Sequence, residues 1–170
     1  TRKKLAGVEL ESGKELWFVD IEAFRGMNIL TPTIIGDRVF TSSYGGGSFL
    51  FEISKTDGGS FQVKQLWRNK VQGYMSSPVV INGHIYLHLR NQRFACINIE
   101  SGKETWITQP FGKYWSLIAN GNEILALDER GELLLIRANP ESFELAERRK
   151  ISGKPTWAHI GISDNDIFIR

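Results

Sequence analysis

Apolar and polar residues alternate along most of this chain in short runs, and turns rich in Gly, Asn, Asp and Ser separate the runs. A period of two marks half-buried strands, because successive side chains of a strand point to opposite faces. The spacing of three and four that stacked helices require is not seen. The chain is therefore expected to be all-β.

The runs also repeat. Gly7-Val8-Glu9-Leu10-Glu11-Ser12-Gly13-Lys14-Glu15-Leu16-Trp17 matches Cys96-Ile97-Asn98-Ile99-Glu100-Ser101-Gly102-Lys103-Glu104-Thr105-Trp106 nearly residue for residue. Each copy reads as a strand, a Glu-Ser-Gly-Lys turn whose Gly supplies a positive φ, and a second strand ending in Trp. Trp67 and Leu145 are expected at the Trp position of two further copies, giving spacings of 50, 39 and 39 residues.

A second marker lies between these hairpins, where Thr31-Pro32-Thr33-Ile34-Ile35-Gly36-Asp37-Arg38-Val39-Phe40 aligns with Ser77-Pro78-Val79-Val80-Ile81-Asn82-Gly83-His84-Ile85-Tyr86. Residues 116–125 and 160–168 repeat it. The unit is thus two hairpins in a four-stranded meander, with the period of a β-propeller blade. Complete blades are predicted at 30–69, 73–109 and 112–149, with an outer half-blade at 5–19 and an inner half-blade at 153–170, all in one propeller domain over 1–170. A β-sandwich is the competing arrangement, but its strands do not ordinarily repeat at this level of near-identity.

Composition changes this picture little. With 41% apolar and 24% charged residues the chain has ordinary globular composition and can bury a sizeable core. A net charge of +2 is too small and too scattered to indicate a nucleic-acid or membrane surface. The single cysteine, Cys96, cannot form an internal disulfide and reads as a small buried hydrophobe. No apolar stretch has the length of a membrane span, and no secretory leader opens the chain. The chain begins at Thr1 without Met and ends within Ile167-Phe168-Ile169, which resembles an unfinished strand. It is expected to be a segment of a longer protein, with oligomers forming through unfinished sheet edges.

The two strongest hairpins resemble the quinoprotein propeller repeat, whose pattern is Ala-x-Asp-x-x-Thr-Gly-x-x-x-Trp. The matching positions are Cys96, Asn98, Ser101, Gly102 and Trp106 in one copy and Gly7, Glu9, Ser12, Gly13 and Trp17 in the other. The Asp is replaced in both. The resemblance implies that Trp17, Trp67, Gly102 and Trp106 dock adjacent blades and carry no catalysis. The family includes quinone-dependent dehydrogenases that hold pyrroloquinoline quinone with calcium. It also includes cofactor-free propellers, such as a lipoprotein scaffold that helps assemble outer-membrane barrels, and this suggests a periplasmic or other extracytoplasmic setting.

The resembling dehydrogenases stack a quinone on Trp, bind calcium with Glu and Asn, place an Asp as base and often carry two adjacent half-cystines. One cysteine excludes that pair from this chain. Asp128, Glu129, Asp164 and Asp166 lie in or beside predicted turns, where carboxylates are expected on conformational grounds alone. His84 and His88 share a strand face but stand about 13 Å apart at ~3.3 Å per residue, too far to share a metal ion.

The strongest functional signal precedes each innermost strand. Gly73-Tyr74-Met75-Ser76, Gly112-Lys113-Tyr114-Trp115 and Gly153-Lys154-Pro155-Thr156-Trp157 align without gaps. In a propeller this connection enters at the channel mouth, so Tyr74, Met75, Tyr114, Trp115 and Trp157 are expected to converge there, with Arg90 or Arg130 nearby. Aromatics rimmed by Arg form contact surfaces. Plugging the channel is the alternative. The expected function is a non-catalytic scaffold that presents this face to a protein or small ligand, without cofactor, nucleic acid or membrane span. A fragment of a quinone-dependent oxidoreductase is the competing reading.

Overall fold

The computed structural model describes residues 2–170; Thr1, with which the predicted domain opens, lies outside them. Among the described residues there are sixteen strands, one 3₁₀ turn at Phe24–Gly26 and no α-helix. They fall into two compact units that meet in sequence at Tyr74 and Met75.

The first unit opens with the hairpin β1 (Lys4–Val8) and β2 (Glu15–Asp20). A four-stranded sheet follows, formed by β3 (Thr33–Ile35), β4 (Arg38–Ser43), β5 (Gly47–Lys55) and β6 (Phe61–Asn69), each antiparallel to its sequence neighbour. Leu5 and Ile21 pack with Val39, Phe49 and Phe51 between hairpin and sheet, and Trp17, Val19, Ile53 and Val63 close the edge of that core.

The second unit holds two such meanders. One comprises β7 (Val79–Ile81), β8 (His84–His88), β9 (Phe94–Asn98) and β10 (Glu104–Ile107). The other comprises β11 (Trp115–Asn120), β12 (Glu123–Asp128), β13 (Glu132–Arg137) and β14 (Glu144–Lys150). The hairpin β15 (Gly161–Ser163) and β16 (Asp166–Phe168) ends the chain. Tyr86, Phe94 and Cys96 of the first meander pack against Trp115, Ile124, Ala126, Leu134 and Ile136 of the second. Phe94 is fully buried, with the rings of Tyr86, Trp106, Trp115 and Phe143 around it. Burying one such side chain is worth about 1.5–3 kcal/mol.

The repeated motif builds a local device. In each outer hairpin one residue bulges from the outer strand directly before the Trp position, so that Gly7 pairs with Trp17, Leu50 with Trp67 and Cys96 with Trp106. A bulge re-aims the following side chain. The indole of Trp17 lies so close over Gly7 that a Cβ there would collide with it. In the fourth copy the same register pairs Leu135 with Glu147, so Glu147 holds the Trp position and Leu145 does not. The longer β13–β14 loop shifted the sequence alignment. Trp106 is half-buried, and its indole N–H donates to the Asn139 carbonyl of the neighbouring sheet's outer loop at 2.8 Å.

The replaced Asp positions keep their turn chemistry. Asn98 Oδ1 accepts from the Ser101 amide and hydroxyl, both at 3.0 Å, and Gly102 takes φ 66°. In the other copy the Glu9 carboxylate accepts from the Ser12 hydroxyl. These substitutions therefore conserve an acceptor at the turn.

Candidate functional site

Asp128 organises one end of the second unit. Standing at the end of β12, it is fully buried, yet its carboxylate accepts from the Gly112 amide at 2.6 Å, the Arg130 amide at 2.7 Å and the Trp115 indole N–H at 2.9 Å. Its main-chain carbonyl accepts from the Thr156 hydroxyl at 2.7 Å. A carboxylate is tolerated inside a protein only with such a full set of donors. A side chain at 112 would run into the carboxylate, so glycine is required there for the close approach. Glu129 extends the clamp: its amide donates to the Tyr114 carbonyl, its carbonyl accepts from the Thr156 amide, and its carboxylate accepts from the Lys113 amide at 2.6 Å. Residues 112–115, 128–131 and 156 thus form one hydrogen-bonded frame.

The frame displays an aromatic pair. Tyr114 and Trp157 meet with ring centroids 4.3 Å apart, and Trp157 remains 64% exposed. The Lys113 ammonium sits 5.2 Å from the Tyr114 ring centre, within cation–π range. Beside the pair runs an open groove of about 420 Å³ lined by Glu129, Arg130, Gly153, Lys154, Pro155 and Trp157.

Trp115, expected on the same face, is instead buried at 4% exposure. The aligned position is buried in all three copies, as Ser76, Trp115 and Thr156. Its ring stacks on His88 at 4.9 Å and 14°, and touches Phe94 and Phe111. Burial pushes the His88 imidazole down to about 4, against the Gly112 and Gln92 carbonyls and the Asp128 charge, which favour its protonated form. His88 Nε2 has no hydrogen-bond partner among the described residues.

Tyr74 belongs to the first unit, where it meets Tyr44 edge-on at 6.3 Å while Tyr44 packs on Phe24 at 5.0 Å. Met75 and Arg90 are exposed. Arg130 is the arginine that reaches the groove, and one of its guanidinium N–H groups donates to the Phe111 carbonyl. Lys113 and Lys154 were not among the expected residues, although both follow the glycine of the aligned connection, which is the signal that marks them.

The Trp115 ring, packed among His88, Phe94 and Phe111, is not open to a stacking ligand. Among the described residues no three of His, Cys, Asp and Glu stand together as a metal site. Of the strand histidines, His84 contacts the Asn82 carbonyl at 2.9 Å while His88 is buried in the core.

Antiparallel four-stranded meanders carrying this Trp-and-turn motif define a β-propeller of the quinoprotein-repeat class. Residues 1–108 match the family model described as outer membrane protein assembly factor BamB, and the chain belongs to that family. Among solved structures it resembles BamB from Moraxella catarrhalis, with TM-score 0.76 at 13% identity over 99% of this chain and 50% of that one. It also resembles the computationally designed Ika8 protein, with TM-score 0.65 at 12% identity over 95% of this chain and 48% of that one. AztD of Citrobacter koseri gives 0.60 at 15% identity, covering 92% and 43%. These likenesses speak for the fold, and the chain spans about half the length of the first two structures. No curated protein matches it. No helix among the described residues is long and apolar enough to cross a membrane.

Proposed function

We propose that this propeller is a non-catalytic scaffold whose face at Tyr114 and Trp157 binds a protein partner. The observation that carries the reading is a large exposed indole packed at a tilt against a tyrosine and held on a frame with a buried carboxylate at its centre. Exposed aromatics on a rigid support lose little entropy on binding, which is why they dominate protein contacts. The family's description as an assembly factor supports a protein over a small ligand. The groove is open, whereas small-molecule sites enclose most of their ligand.

The test is site-specific photo-cross-linking in cells that make the protein, with benzoylphenylalanine in place of Trp157 or of Leu10, which is 97% exposed in the first unit. Discrete protein adducts are expected from position 157, are absent from position 10, and are lost when Asp128→Ala disorders the frame. No adduct from 157, or the same adducts from both positions, would overturn the reading.

A further inference from the structure

We infer that the groove beside Trp157 receives an extended acidic segment of the partner protein, and that this segment lays an apolar side chain on the indole. The inference rests on the reading of this face as a protein contact and names the chemistry of what it contacts.

Charge selects the ligand. Arg130 and Lys154 line the groove and Lys113 flanks it over Tyr114. Among the described residues none of these three cations is in an ion pair. The neighbouring strand β14 differs in this respect, since Arg148 and Arg149 are matched by Glu132 and Glu147. Three unmatched cations around one aromatic pair form a local positive field that a carboxylate-bearing chain would complement.

Shape and the one acidic group narrow the choice further. An open groove of about 420 Å³ admits an extended backbone with a few side chains, not a globular domain. Glu129 also lines the groove and would repel closely packed phosphates, whereas a peptide offers it amide N–H donors. A polypeptide therefore fits better than a nucleic acid or an anionic lipid surface. The exposed face of Trp157 supplies the apolar contact, and an acidic segment that carried no apolar residue would leave it uncovered.

The experiment measures binding of dye-labelled decapeptides by fluorescence anisotropy at low salt, using alternating Asp-Phe, Lys-Phe and Asp-Ser sequences. The Asp-Phe peptide is expected to bind most tightly and to weaken at least tenfold between about 50 mM and 500 mM salt, as screening requires. Lys113→Glu with Lys154→Glu, both exposed positions, is expected to reverse the preference toward Lys-Phe. Trp157→Ala is expected to weaken Asp-Phe binding at least fivefold and bring it level with Asp-Ser. Equal binding of Asp-Phe and Lys-Phe, or indifference to the charge reversal, would overturn the inference. So would tight binding of phosphatidylglycerol vesicles that the Asp-Phe peptide fails to displace. If position 157 cross-links to a protein whose contact segment is not acidic, the groove inference falls while the scaffold reading stands. If it cross-links to none, both fall.

Discussion

Asp128 and His88 are both buried, yet both support the face proposed for partner binding. Removing the Asp128 carboxylate strands two amides and an indole N–H, and each unsatisfied buried group costs about 1–3 kcal/mol. Asp128→Ala is accordingly expected to destabilise the protein by at least about 3 kcal/mol in urea unfolding, and Asp128→Asn by less, because the amide oxygen still accepts. His88 predicts an acid sensitivity of definite sign. Above its ordinary value of 6.5 neither state binds the proton; as pH falls, the unfolded chain takes it up first, and the folded chain follows only near 4. Stability is therefore lost through that window, by about 3 kcal/mol. His88→Leu, which installs the residue found at the matching place in β12, Leu127, should remove this loss when unfolding of the two proteins is compared from pH 7 to 4. The aligned connections share their glycine, and the sequence therefore set Tyr114 and Trp157 on one face, where the structure shows the two rings in contact. The sequence also set Trp115 on the exposed face, whereas the ring turns into the core, and it read Asp128 as a turn residue because its partners come from other segments of the chain.

Among the elements, the outer hairpin was the most legible, since its turn and its Trp are both encoded within eleven residues. The structure adds the bulge, which brings Trp106 over Cys96 and its N–H onto the Asn139 carbonyl. Trp106→Ala is expected to cost about 3 kcal/mol, near the lower end for a truncated Trp because the ring is half-buried. An unchanged denaturant midpoint would contradict that packing. The fourth copy was found in the sequence but its Trp position was set at Leu145, two residues early, because its turn is rebuilt from Asn139, whose carboxamide accepts from the Glu141 amide and donates to Glu144. A longer loop then carries the Trp position to Glu147, where no apolar residue marks it.

At the scale of the molecule, the all-β class and propeller repeat were legible because period-two alternation and a motif recurring at blade length are properties of the whole pattern. The composition of the proposed contact face was only half legible, since exposure depends on how connections pack. Pyrroloquinoline quinone with calcium is expected to leave the melting temperature unchanged, because only a ligand that prefers the folded state shifts it. A saturable, calcium-dependent rise would favour the oxidoreductase reading.

The most direct measurement is hydroxyl-radical footprinting of the individual tryptophans by mass spectrometry, with and without saturating Asp-Phe peptide. In the free protein Trp157 should oxidise readily while Trp115 stays protected, in keeping with their 64% and 4% exposure. On binding, Trp157 should become protected with Trp115 unchanged. A Trp157 already shielded in the free protein, or equally oxidised with and without peptide, would contradict the assignment of this face as the contact surface.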